Sequence, residues 1–190
     1  MAVNLFGFRS GIGGVHQART IMFADLESLF RLLPAQSTPD EYKKKIISDN
    51  FLGKPTLKAR MLAFHHIREL YSLDPKVPVF REMRRLWDID ESSRPFLALC
   101  CALARDPFLR ISTDFILSKR PGENITREET EELIQQKHPG KLSPASTKSC
   151  AQTINGSWTQ AGFLSGKARK VRIAQNIHPV GVAYALFLGW

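Results

Sequence analysis

The sequence predicts a mainly α protein, a multi-helix body followed by a smaller helical unit that carries one short β-hairpin. Three observations lead there. Apolar residues recur at three- and four-residue spacing along most of the chain. Prolines just after Ser, Thr or Asp stand at helix-start positions. Only one short segment alternates apolar and basic residues as a strand would. At 190 residues and 43% hydrophobic content the chain is long and apolar enough to bury a core.

In the body, Val15 to Leu33 has apolar residues spaced for one helical face, and Pro34 ends it. Thr38 with Pro39 and Glu41 is a capping box, which predicts a second helix through Lys43, Lys44 and Lys45 to about Asn50. Thr56 caps a third, whose expected core stripe is Leu57, Met61, Phe64, Ile67, Leu70 and Tyr71. Val79 to Trp87 places Arg81, Arg84 and Arg85 opposite Phe80, Met83 and Leu86. From Ser93 and Pro95 a fifth helix is apolar nearly all round and should be central. Asp106 with Pro107 starts a sixth, through Phe115 and Ile116. Pro121, Gly122 and Asn124 mark a linker, which divides the chain into a body (1–122) and a second unit (123–190).

In the second unit, Thr126 and Glu129 form another capping box, opening an acidic helix to about Lys137. Ser143 and Pro144 start the next helix, which should end near Gly162. Phe163-Leu164-Ser165-Gly166-Lys167, followed by Val171 and Ile173 among Arg169, Lys170 and Arg172, suggests the hairpin. Pro179 to Trp190 is apolar enough to dock as a helix. Helix, turn, helix and basic hairpin is the order of a winged helix-turn-helix, in which the second helix enters the major groove and the wing lies along the phosphates.

Charge supports that reading. The chain carries 27 Lys and Arg against 18 Asp and Glu, a net charge of +9, which makes a polyanion the first partner to consider. From Lys141 onward there are six basic residues and no acidic one; the last carboxylate side chain is Glu132. Acidic residues there would repel phosphates. The 144–161 helix offers Ser146, Thr147, Lys148, Gln152, Thr153, Asn155 and Ser157, small polar groups suited to base edges and phosphates. Ser146, Thr147, Lys148, Gln152 and Asn155 are the expected groove contacts, and Lys167, Arg169, Lys170 and Arg172 the phosphate contacts. Lys43, Lys44, Lys45, Lys58 and Arg60 form either a solvated face or a second phosphate patch. Trp158 is expected in the core.

Other chemistry finds little support. Cys100, Cys101 and Cys150 are too few and too badly spaced for a disulfide framework or a four-thiolate zinc site. Gly11-Ile12-Gly13-Gly14 lacks the Lys-Ser or Lys-Thr of a phosphate loop and is read as a flexible start. Adjacent His65 and His66 cannot share a metal in good geometry, and Asp106 reads as a helix cap. No nucleophile has an evident base. No enzyme activity, metal, cofactor or small-molecule ligand is expected. The start, MAVNLFGFRSG, lacks a signal-peptide core, and no apolar run is long enough for a bilayer span, so a cytoplasmic protein without a membrane partner is expected.

Leu142-Ser143-Pro144-Ala145-Ser146-Thr147-Lys148, continuing through Trp158-Thr159-Gln160-Ala161-Gly162-Phe163-Leu164, resembles the C-terminal motif of the BrxA proteins of bacterial BREX (bacteriophage exclusion) systems. Asn50-Phe51-Leu52 with Lys54 and Thr56, and Ser93 to Phe115 with Asp114-Phe115, resemble further stretches of that family. The chain departs from it in a short N-terminus and in Trp158. The resemblance implies a small, helical, non-enzymatic component of a phage-defence system that binds double-stranded DNA, with some likeness to an RNA-binding antitermination fold. The alternatives are a structural adaptor docked on a larger defence-complex protein, and an RNA-binding protein.

Overall fold

Among the described residues, local side-chain hydrogen bonds set five of the ten α-helix starts. In the computed structural model, which describes residues 2–189, strands β1 (Ala2–Val3) and β2 (Arg9–Ser10) pair antiparallel, and a single 3-10 turn follows at Val15–Gln17. Helix α1 spans Phe23–Leu32. Thr38 and Glu41 complete their capping box at α2 (Pro39–Lys43), which runs on as a π turn over Lys44–Ser48. The Thr56 hydroxyl accepts from Ala59 N–H at the start of α3 (Leu57–Tyr71). Then come α4 (Pro78–Trp87), α5 (Arg94–Arg105), α6 (Pro107–Arg110) and α7 (Thr113–Ser118). Strand β3 (Asn124–Ile125) leads into α8 (Arg127–Lys137), capped by Thr126 and Glu129, and α9 (Pro144–Gln160) is capped by Ser143. The chain continues through β4 (Leu164–Ser165), β5 (Lys170–Arg172) and α10 (Pro179–Leu188).

The axis of the fold is α5, in which every residue from Leu97 to Arg105 is buried. Helices α3, α4, α9 and α10 pack around it. Among the described residues no helix is long and apolar enough to cross a membrane. The core is continuous across Pro121 to Asn124, running from Val15 through the α5 residues to Trp158, Phe163 and Tyr184. The described residues on either side of this segment thus contribute to one hydrophobic cluster. The C-terminal helix belongs with the body, where the Tyr184 hydroxyl donates to the Val79 carbonyl at 2.7 Å.

Four expectations are corrected. Val15 to Leu33 is not one helix: Ile21 donates its N–H to Ser157 Oγ and accepts the Tyr71 hydroxyl at its carbonyl, and Met22 turns into a left-handed conformation (φ 50°) before α1 begins. Tertiary hydrogen bonds there replace helical ones. The expected stripe of α3 faces the core only over its C-terminal half, through Ile67, Leu70 and Tyr71, while Leu57 and Met61 are exposed. Arg84 is not a surface cation. It is buried, stacks 4.7 Å from the Phe30 ring centre and donates to the Phe30 and Leu33 carbonyls at the end of α1, an end that favours a cation. The expected sixth helix is two, α6 and α7, broken near Ser112, whose hydroxyl turns back to the Leu109 carbonyl.

Candidate nucleic-acid interface

Strand β5 lies between β3 and β4, antiparallel to both, so the sheet order is β3-β5-β4. Along the chain this gives strand, helix, turn, helix, strand, turn, strand, the element order of a winged helix-turn-helix, with α9 in the recognition position and residues 166–169 at the wing tip. Gly166 is required at that tip. Its φ is +93°, and a Cβ would lie 2.1 Å from the Arg169 carbonyl oxygen.

The wing cations divide into two kinds. Lys167 and Arg169 are exposed. Lys170 folds back, its Nζ donating to the Gly166 carbonyl at 2.6 Å, and burial lowers its pKa. Arg172 is a clamp: its guanidinium sits 5.1 Å from the Phe163 ring centre and donates to the Phe163 and Ile173 carbonyls. Its Nη1 is thereby engaged by the backbone while the side chain stays half-buried, so Arg172 offers less to a phosphate than Lys167 or Arg169.

Helix α9 divides in the same way. Lys148 and Gln152 are exposed and Ser146 is half-buried. Thr147 and Asn155 are buried against α8, where Thr147 Oγ1 accepts from Gln135 Nε2 at 2.8 Å and Asn155 Oδ1 accepts from Thr130 Oγ1 at 3.0 Å. Both are corrected from groove contacts to helix-packing groups. Small polar side chains let two helices approach closely, and this pattern mimics a recognition face. The opposite flank of α9 is covered by residues 16–21, through Ser149, Thr153 and Ser157.

Acidic side chains border this surface. Glu128, Glu131 and Glu132 line a shallow groove with Gln135, Pro144 and Thr147. Arg127 approaches Glu128 to 2.5 Å and Glu131 to 2.6 Å, and Glu132, also exposed, lines the same groove beside the start of α9. The second basic patch is thinner than its composition implies. Lys43, Lys44 and Lys58 are exposed, but Lys45 pairs with Asp49 at 2.8 Å and Arg60 donates to the Ile47 carbonyl.

The structure also brings together three residues that sequence reasoning did not connect. His16 Nε2 lies 2.8 Å from Ser157 Oγ, and His16 Nδ1 lies 2.9 Å from Asp106 Oδ2. The order is that of a hydrolase relay, but all three side chains are buried, with relative exposures of 0% for His16, 1% for Asp106 and 0% for Ser157. The Ser157 hydroxyl accepts from Ile21 N–H and shares its proton between His16 and the Thr153 carbonyl. The relay is a staple that fixes the N-terminal segment to α9 and to the α5–α6 junction. Asp106 also caps α6 through Leu109 N–H and accepts from His16 N–H. Burial alone would raise its pKa; the His16 side chain and these N–H groups outweigh burial and hold it below the ordinary carboxylate value. A Cβ at Gly14 would lie 2.3 Å from Asp106 Oδ1, so this glycine allows a close approach rather than a flexible start. Only the spacing Gly13-Gly14-Val15-His16 hinted at such a contact.

Trp158 is in the core, its Nε1 donating to Ser112 Oγ at 2.8 Å and its ring edge-on to Phe163. Burial pushes Cys101 up to about 11 and Cys150 to about 12, and raises Cys100 as well, which disfavours the thiolate form of all three. No known protein family and no curated protein matches the chain.

Proposed function

We propose that the protein binds double-stranded DNA without catalysing a reaction on it, as a component of a bacterial phage-defence system of the BREX type. Lys148, Gln152 and Ser146 of α9 meet the major groove. Lys167 and Arg169, with Lys170 closing the turn behind them, meet the phosphates. The observation that carries this reading is the β3-β5-β4 sheet around the α8–α9 pair, with exposed cations at the wing tip and no acidic residue after Glu132. Fold order and charge point to the same polyanion. The sealed Ser157–His16–Asp106 staple supports the non-enzymatic part, because its hydroxyl is already engaged on all sides. The placement in a defence system rests on the resemblance of the Leu142 to Leu164 segment.

The test is fluorescence anisotropy with a labelled duplex of about two helical turns at low salt, followed by competition with an RNA duplex of equal length. Saturable binding in which DNA competes better than RNA is expected. Failure to bind at low salt ends the reading, and preference for RNA replaces it with the RNA-binding alternative.

A further inference from the structure

The body carries a surface that the DNA reading does not use. A groove of about 560 Å³ runs between α3 and residues 19–25, walled by Met22, Phe23, Ala59 and Leu62, with Arg19 and His66 also lining it. Beside it the outward face of α3 is apolar where a lone surface helix would be polar: Leu57 is 59% exposed, Met61 54% and Leu62 42%, and Phe51 just before the helix is 43% exposed. The same face holds Lys58 and Arg68. Carboxylates at its border are already taken: Asp25 by Lys54 at 2.9 Å, Asp49 by Lys45 at 2.8 Å and Glu69 by Arg9 at 2.7 Å.

We propose that this face docks an acidic amphipathic helix from a partner protein. An apolar stripe at helical spacing beside a groove is the form that receives the apolar face of a second helix. The cations Arg19, Lys58 and Arg68, with no unpaired carboxylate among Asp25, Asp49 and Glu69, select a partner with acidic flanks. A second copy of the chain would bring the same cations face to face. A nucleic acid would set phosphates against Leu57 and Met61 and gain nothing from them.

The experiment uses a labelled synthetic peptide of about sixteen residues, long enough to form a helix, with Leu at i, i+4 and i+7 and Glu on both flanks. A twin carries Lys in place of each Glu. Wild-type protein should bind the acidic peptide with a Kd below about 100 µM and leave the basic twin unbound. Leu57→Ser with Met61→Ser, and separately Lys58→Glu with Arg68→Glu, should each weaken binding roughly tenfold while the circular dichroism spectrum stays unchanged. Arg169→Ala should have no effect. The proposal is overturned if neither peptide binds, if the twin binds equally, if the α3 variants bind like wild type, if Arg169→Ala weakens the peptide, if duplex DNA displaces it, or if the face instead drives a dimer that Met61→Ser abolishes.

Discussion

Replacing His16 with alanine isolates the staple that joins the first residues of the chain to α9. His16 sits fully buried between Asp106 and Ser157 and contacts both. Its removal leaves a buried carboxylate with two N–H donors but no cationic or imidazole partner, and takes one partner from a buried hydroxyl. Losing one member of a buried pair costs about 3 kcal/mol or slightly more. For a domain of this size that lowers Tm by roughly 6–12 °C. Urea unfolding followed by circular dichroism and tryptophan fluorescence reads it directly, because Trp158 lies on the same helix as Ser157. The staple also carries a pH signature. Since folding depresses the Asp106 pKa, its contribution is fully present above the unfolded carboxylate value near pH 4, about 3.9 for Asp, and is lost as pH falls through the lower folded value. The His16→Ala protein should therefore lose less stability than wild type on going from pH 5 to pH 2. A stability change under about 0.5 kcal/mol, the size of a neutral surface substitution, would refute the staple.

Three further outcomes follow from the same geometry. Trp158→Phe removes the Nε1 bond to Ser112 and should cost about 2 kcal/mol in a denaturant titration. Arg172→Ala should cost about 1–2 kcal/mol by releasing Phe163 and two carbonyls, whereas Arg169→Ala should change stability by less than about 0.5 kcal/mol; equal effects in thermal melts would contradict the division of the wing. Glu132→Gln should raise duplex affinity about two- to fivefold at low salt and have little effect at high salt, where exposed charges are screened. An unchanged affinity at low salt would place the duplex away from the start of α9.

Elements whose signals are local were legible in the sequence. Thr38 with Glu41, Thr126 with Glu129, Ser143 with Pro144, and Asp106 each satisfy N–H groups within three residues, so a short window contains the whole interaction. The Gly166 turn and the alternation around Val171 placed the hairpin for the same reason. What was hidden depends on partners far along the chain. Ile21 bonds to Ser157 and Tyr71, and His16 to Asp106 and Ser157, so no pattern near residue 20 could show that the helix starts only at Phe23. Thr147 and Asn155 looked like groove readers because small polar side chains serve close helix packing and base contact equally well. Arg84 and Arg172 looked like surface charge because composition does not reveal which guanidinium will find carbonyl oxygens to satisfy it.

The account stands most directly on the salt dependence of duplex binding, measured for wild type and for a Lys148→Ala, Lys167→Ala, Arg169→Ala variant. Each phosphate contact contributes roughly 0.9 to the slope of log K against log salt. The variant should bind more weakly at every salt concentration, with a slope shallower by up to about three and an unchanged Tm. A slope identical to wild type would show that the surface formed by α9 and the wing is not where the protein meets DNA.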